Sequence, residues 1–229
     1  MIDPRVASTS RRLTRRAFAI AASVTCLGAN ACFRGKLPPR EFYRLTSVMD
    51  SAVAQPRAGN PPLSGSIAIA AYDAPGIYGT GFIVYRNGAA AYGTYPSREW
   101  AIPLGDMLGA MTESAVRRGS LTSGRAVFHT SSVQREEYAW RGVIREFDEV
   151  DDPASVSAAV ALSAQLVRVA DDSVIWSGTV RETERVRESR SMPSVVEALS
   201  LAASRAVDRL ATDAATALHR LTAAGAQRR

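Results

Sequence analysis

The feature that most constrains the fold is the stretch 82–115, in which a hairpin pattern runs directly into a helical one. Asn87-Gly88 tolerates the positive φ that a tight two-residue turn requires. The residues on both sides of this turn are rich in aromatic and β-branched side chains, which favour strands. The first half of the stretch is therefore predicted to form two antiparallel strands.

The second half of the stretch predicts a helix. Pro103 suits a first helical turn, where a missing N–H group costs nothing. Apolar residues then recur at helical spacing, at Leu104, Leu108, Met111 and Ala115. Trp100 lies at the junction, and we expect its ring to fill the gap between helix and sheet.

The order of these motifs resembles that of a known family. The motifs are an apolar strand ending in Tyr85-Arg86, the hairpin, Trp100-x-x-Pro103-Leu104, and the helix through Leu108. Two more fit the same pattern: Phe42-Tyr43-Arg44-Leu45-Thr46, about ten positions after Cys32, and the strand 143–148. Over nearly the whole mature chain, this arrangement is similar to that of the ABC-type transport auxiliary lipoproteins, the PqiC-like family.

The resemblance implies a non-catalytic component of an ABC-type lipid transport system of the MCE kind. In such a system the permease and ATPase lie in the inner membrane, MCE-domain proteins cross the periplasm, and this lipoprotein docks them at the outer membrane. No cofactor is implied. The matching motif residues are expected to be structural: Tyr43, Tyr85, Arg86, Trp100, Pro103, Leu104 and Leu108.

The first 31 residues read as an export signal. A basic segment precedes the uncharged apolar run 17–27, which is too short to cross a bilayer that needs about 20 apolar residues. Arg15 and Arg16 resemble a twin-arginine export motif. An ordinary charged leader is the alternative interpretation of the same residues.

Two cysteines compete as the site of lipid modification. Cys32 follows the small residue Ala31 at the end of the apolar run, whereas Cys26 lies inside it. We therefore predict an acylated amino terminus at Cys32; cleavage near Ala31 to give a soluble periplasmic module is the alternative. Phe33 replaces the Asp that retains enteric lipoproteins at the inner membrane, so by analogy the mature protein goes to the outer membrane.

Charge argues against a nucleic-acid partner. The whole chain carries +6, of which residues 1–31, with five arginines and one aspartate, contribute +4. The mature chain keeps only +2, and no basic stripe with interleaved aromatics survives processing.

The mature chain of about 200 residues is long enough for one α+β domain, with a twisted, mostly antiparallel sheet and two main helices packed on it. Further strands are predicted at 42–46, 66–72, 125–132, 138–147, 157–169 and 174–180. A meander is the simplest topology. The polar run 181–190 is predicted to be a solvated strand end and loop, and a last amphipathic helix is predicted from Ser194, with Glu197 completing a capping box.

The domain organisation follows from these patterns. We predict a signal peptide at 1–31, a lipid-anchored segment with the first strand and a linker at 32–65, and the transport auxiliary domain at 66–229. The linker includes a Pro- and Gly-rich stretch, 55–62, with little apolar surface to bury.

The sequence offers no catalytic constellation, and we predict that the protein is not an enzyme and holds no metal. His129 and His219 have no Cys or second His near them in sequence. The acidic pairs 136–137, 151–152 and 171–172 read as turns or solvated strand ends, since adjacent residues of a strand point to opposite faces. Asp148-x-x-Asp151-Asp152 lacks the Gly and closing Glu of an EF-hand calcium loop.

The predicted mechanism is binding without turnover, through an exposed sheet edge or through loops. Candidates are the loop 73–81 and the aromatic residues Tyr72, Tyr78 and Tyr85, although these tyrosines also suit the core. Other possible functions are a partner of lipopolysaccharide insertion or cell-wall synthesis, and a lipid carrier with an apolar cavity. The last helix is a possible contact between copies of the chain.

Overall fold

The computed structural model describes residues 39–46, 60–88, 90–129, 136–153, 155–187 and 191–226. The strands in these ranges are β1 Glu41–Tyr43, β2 Ile67–Ala70, β3 Phe82–Asn87, β4 Ala91–Trp100, β5 Ala126–His129, β6 Tyr138–Asp152, β7 Ser155–Arg168 and β8 Ser173–Arg185. The helices are α1 Leu104–Arg118 and α2 Met192–Ala226, with a 3₁₀ helix at Gly76–Thr80. The predicted α+β class is confirmed, with both α-helices packed against a mixed sheet.

Strand β6 is the centre of the sheet. Along one edge it pairs antiparallel with β7, which in turn pairs antiparallel with β8. The other edge is shared: β2 pairs in parallel with the start of β6 and β3 with its end. Strand β5 extends the sheet beyond β2, and β4 and β1 extend it beyond β3.

The predicted meander is correct for β6, β7 and β8 and wrong for the strands before them. The chain does not reverse between β2 and β3, because Asp73 bridges to the middle of β6. The Asp73 N–H donates to the Gly142 carbonyl at 2.9 Å, and the Asp73 carbonyl accepts from the Ile144 N–H at 2.8 Å. Both strands therefore run along β6 in the same direction.

The predicted hairpin and the helix after it are present, but Asn87 pairs with Ala91, so three residues, and not the predicted two, connect β3 to β4. Strands β3 and β4 are antiparallel and meet at the turn that contains Gly88, whose φ is +66°. Helix α1 begins at Leu104, directly after Pro103, whose backbone is extended. Trp100 is buried, and its ring meets that of Phe147 edge to face, with centroids 5.9 Å apart. The Trp100 ring thus packs against β6 in the core.

Helix α2 lies over β7 and β8 and also contacts α1. It begins at Met192 and not at the predicted Ser194. The Ser194 N–H donates to Ser191 Oγ at 3.3 Å, so Ser191 is the residue that caps the helix. The predicted capping box at Ser194 is wrong. The side chain of Met192 is buried in the core, and the helix begins at this residue, two positions before Ser194.

Alanines let α2 approach the sheet closely. The buried face of the helix is rich in them, at Ala198, Ala202, Ala203, Ala206, Ala211 and Ala214.

Strand β8 continues to Arg185, which pairs with Ser157, so half of the run 181–190, predicted as a strand end and loop, belongs to the sheet. Helix α2 thus covers one face of β6–β8, whereas the opposite face, which we call the open face, carries mostly polar side chains.

Candidate functional site

The second half of β6 carries its acidic residues on alternate sides of the sheet. Glu146 and Asp148 lie on the open face, and Glu149 lies on the opposite face. A β-bulge between Ile144 and Glu146 shifts the register with β7 by one residue. The alternation therefore separates carboxylates that are neighbours in sequence.

A buried charge network joins three strands on the open face. Arg86 of β3 donates through Nη2 to Glu146 Oε1 at 2.6 Å and through Nε to Asp148 Oδ2 at 3.0 Å. Arg181 of β8 donates through Nε to Glu146 Oε2 at 2.6 Å. The Tyr78 hydroxyl, from the 3₁₀ helix, donates to Asp148 Oδ1 at 3.0 Å. The Asp148 side chain is fully buried, with both oxygens hydrogen-bonded.

The pKa shifts in this network follow from burial and from the charge pairs. Burial raises the pKa of Asp148, and the bonds from Tyr78 and Arg86 oppose that rise. Burial together with Asp148 raises the pKa of Tyr78 far above its ordinary value. Burial tends to lower the pKa of Arg86, but Asp148 and Glu146 raise it overall. Two guanidinium groups thus face two carboxylates, so each of the two carboxylates has a charged partner.

A second polar contact lies on the helix-facing side of the same strands. The Tyr95 hydroxyl donates to Glu149 Oε2 at 2.7 Å, and the Tyr85 and Tyr95 rings lie 4.9 Å apart between centroids. Burial and the Glu149 carboxylate raise the pKa of Tyr95. Tyr85 therefore packs within the sheet.

The open face forms two shallow hollows on either side of the network. The larger, of about 510 Å³, has Arg141 and Arg145 on one side and a floor of Ser163, Gln165, Ser177 and Thr179. The smaller, of about 390 Å³, is lined in part by Arg86, Arg181, Ser157 and Thr183. Arg145 bonds only Ser163 Oγ, at 2.8 Å, among the residues that the structure describes. The larger hollow thus presents hydroxyl groups beside Arg145, which has no carboxylate partner within the described ranges.

Tyr72 belongs to the core and not to a binding surface. Its hydroxyl accepts from Trp140 Nε1 at 3.2 Å and lies 3.0 Å from Thr112 Oγ1, with all three side chains buried. Burial raises the pKa of Tyr72. Gly105 and Gly142 leave room for this residue, because a Cβ on either would lie about 2 Å from a Tyr72 atom.

The structure places the predicted motif residues in and around the core. Trp100, Leu104 and Leu108 are buried, and Tyr43 is partly buried against them. The prediction of a structural role for Arg86 did not include its carboxylate partners Glu146 and Asp148. The sequence signal that could have placed Glu146 and Asp148 together is their spacing, because residues two apart in a strand lie on the same face.

The remaining predicted sites are dispersed or lie elsewhere. His129 of β5 lies 3.0 Å from Glu136, and His219 is on the exposed end of α2. The described residues contain no group of three or more His, Cys, Asp or Glu side chains that could hold a metal ion. No helix among them is long and apolar enough to span a membrane. Arg15, Arg16, Cys26 and Cys32 lie outside the described residues.

Solved structures show the same fold at low sequence identity. Protein XCC0632 from Xanthomonas campestris is 18% identical, with a TM-score of 0.65 over 80% of this chain and 99% of that one. An uncharacterized protein is 12% identical, with a TM-score of 0.56 over 76% of this chain and 98% of that one. None of the curated proteins matches the chain.

A family match covers most of the part of the chain that the structure describes. Residues 43–215, from the first strand into the last helix, match the ABC-type transport auxiliary lipoprotein component. This range contains the hairpin, the Trp100 junction and the charge network. The family is one of auxiliary components and not a known enzyme family. The chain belongs to the ABC-type transport auxiliary lipoprotein family.

Proposed function

We propose that this protein is the non-catalytic outer-membrane lipoprotein of an MCE-type lipid transport system. It faces the periplasm and docks an MCE-domain protein that reaches it from the permease and ATPase of the inner membrane. The observation that carries the proposal is the family match over 43–215, which spans the sheet and both helices. An auxiliary component of a transporter acts by holding its partners in place.

We further propose how the chain is processed. Residues 1–31 form the signal peptide, with Arg15 and Arg16 as a twin-arginine motif, and Cys32 becomes the acylated first residue. Residues 32–65 carry the anchor to the domain at 66–229. Each buried methylene of the acyl chains contributes about 0.8 kcal/mol, so a multi-chain anchor holds the protein at the membrane.

The docking surface that we propose is the open face of the sheet. The sequence suggested three tyrosines as docking residues. Tyr72 cannot contact a partner because it is buried, whereas Tyr78 lies beside the open face and its hydroxyl donates to Asp148. The larger hollow presents Arg141 and Arg145 beside hydroxyl groups. Arg145 has no carboxylate partner among the described residues, so an acidic, hydrogen-bonding partner surface complements it.

Two measurements test this function. Mass spectrometry of the membrane-extracted amino terminus is expected to show acylated Cys32, and an unmodified terminus elsewhere contradicts the anchor. A photo-crosslinking residue at position 165, which is exposed in the same hollow and leaves Arg145 in place, is expected to capture the MCE-domain protein in intact cells. The same residue at position 220, exposed on α2, is the matched control. Crosslinks from 165 to lipopolysaccharide-insertion or cell-wall-synthase proteins would instead support the alternative assemblies.

A further inference from the structure

The first strand presents an exposed aromatic residue between two arginines. Tyr43 is partly buried and Leu45 is buried, so the alternate residues Arg40, Phe42 and Arg44 lie on the side away from the core. Phe42 is 61% exposed, which is unusual for so large an apolar side chain. We call these three residues the N-terminal patch.

A second exposed apolar residue lies beside the patch. The Ala101 N–H donates to the Tyr43 carbonyl at 2.7 Å, so the chain at Ile102 runs next to the end of β1. Ile102 is 42% exposed. The patch and Ile102 together give the edge of the sheet an apolar contact area flanked by positive charge.

The charges around the patch are only partly compensated. Arg40 lies 3.2 Å from Glu99 but keeps 69% of its side chain exposed. Arg44 has no ion pair or hydrogen bond among the described residues. Arg98 is 3.6 Å from Glu41, so that pair adds no net charge. The patch with Glu99 therefore carries a net positive charge.

The patch lies close to the proposed anchor in sequence. Arg40 is eight positions after Cys32, and a chain extends at most about 3.5 Å per residue, so Arg40 stays within roughly 28 Å of the lipid attachment point. We propose that the N-terminal patch contacts the anionic lipid surface in which the acyl chains are embedded. This inference rests on the proposed acylation of Cys32.

The chemistry of the patch suits a lipid headgroup region. Guanidinium groups pair with phosphate in a bidentate way, and an exposed phenylalanine ring buries at the boundary between headgroups and acyl chains. A patch of three side chains is too small to bind a membrane from solution. The tether keeps it at a high effective concentration near the surface, so a weak contact is sufficient. Its effect is therefore to orient the domain on its anchor and not to supply the affinity.

An environment-sensitive label on the full-length acylated protein tests the contact. The chain has two cysteines; Cys26 is expected to leave with the leader and Cys32 to be acylated, so a new cysteine can be labelled specifically. Phe42→Cys carries the fluorophore NBD, and Val174→Cys on the distant edge strand β8, 52% exposed, is the matched control. Each protein is reconstituted in phosphatidylcholine vesicles with and without phosphatidylglycerol.

The expected result is a blue shift of NBD emission at position 42 in vesicles that contain phosphatidylglycerol, and none at position 174. Adding Arg40→Gln and Arg44→Gln to the Phe42→Cys protein should abolish that shift while the protein stays with the vesicles. If Cys32 is acylated and the NBD emission at position 42 is no more blue-shifted than that at position 174, the proposed membrane contact is wrong and the proposed anchor is unaffected. If Cys32 carries no lipid, it is the proposed anchor that fails.

Discussion

The guanidinium of Arg86 reaches Asp148 across two parallel strands, with Nε 3.0 Å from Oδ2, and Asp148 is fully buried. The two residues are 62 positions apart in sequence, so this pair ties the hairpin to the central strand. Arg86 also holds Glu146, which Arg181 reaches from the other side. Arg86 thus compensates the charge of Asp148 and shares the compensation of Glu146 with Arg181.

Removing Arg86 should be costly. Arg86→Ala leaves Asp148 buried without its charge partner, and breaking one side of a buried pair costs about 3–5 kcal/mol. Urea denaturation followed by circular dichroism measures the loss of unfolding free energy. Adding Asp148→Asn should restore much of that loss, because the stranded charge is removed.

Arg181→Ala is the matched control for this prediction. It removes an arginine from the same network, but the Arg181 side chain is 56% exposed. Solvent-exposed pairs contribute about 1 kcal/mol or less. Equal losses from Arg86→Ala and Arg181→Ala would show that the burial of Asp148 does not govern the network.

The cost of Arg86→Ala should depend on pH. Burial raises the pKa of Asp148 in the folded protein, so the folded state holds the proton more tightly than the unfolded state does. Protonation of Asp148 therefore stabilises the folded state. This stabilisation is fully present below the pKa of Asp148 in the unfolded chain and is lost as the pH rises through its pKa in the folded protein. Without Arg86 to oppose the shift, the folded pKa rises further.

The measurement follows from that sign. The deficit of Arg86→Ala relative to the native protein should be smaller near about pH 4, the ordinary pKa of aspartate, than at neutral pH. Denaturation curves at both pH values give the two differences. The same comparison in an Asp148→Asn background should lose most of its pH dependence, and an unchanged dependence there would assign the effect to another group.

Local signals explain which parts of the fold were predictable from sequence. The β3–β4 hairpin and the helix after Pro103 each depend on a few adjacent residues, and both are present, although the hairpin loop is one residue longer than the predicted two. The β6–β8 meander also follows from short connections. The parallel placement of β2 and β3 has no local signal, because the bridge at Asp73 joins residues far apart in sequence.

The charge network was missed for a related reason. The sequence pattern ends the strand at residue 147 or 148 and groups Asp148 with Asp151 and Asp152 as a weak calcium-loop candidate, whereas the structure extends β6 through all three. Its partner Arg86 reaches it through the parallel pairing of β3 with β6, which the sequence does not reveal. The start of helix α2 shows that local sequence signals can be ambiguous. Ser191 and Ser194 are both residue types that cap helices, and the burial of Met192 favours Ser191.

Gly105→Ala should destabilise the protein strongly. A Cβ at Gly105 would lie 2.1 Å from the Tyr72 carbonyl oxygen, and this is a backbone atom that cannot rotate away. Helix α1 would have to move from β2, at a cost of about 1–3 kcal/mol or more. Gly119→Ala, just after the same helix with a φ of −72°, is the control and should cost much less. Thermal unfolding of the two variants makes the comparison.

Tyr72→Phe should destabilise by about 1–3 kcal/mol, the penalty for a buried donor without an acceptor. The substitution keeps the ring and removes the oxygen that accepts from Trp140 Nε1 at 3.2 Å. Chemical denaturation gives the change, and Tyr92→Phe, at an exposed tyrosine, is the control that should be close to neutral. A neutral Tyr72→Phe would mean that Trp140 finds another acceptor.

Arg145→Glu tests the proposed docking face without disturbing the fold. Arg145 is exposed and its one contact among the described residues is Ser163 Oγ, so the unfolding free energy should change by no more than about 0.5 kcal/mol. Reversing this charge should weaken capture of the MCE-domain protein by the native-length lipoprotein, because it places like charges against an acidic partner. Arg220→Glu, the same substitution on the exposed end of α2, should leave capture unchanged. Equal losses from both variants would indicate a general effect of net charge, and no loss from Arg145→Glu would move the docking surface away from this hollow.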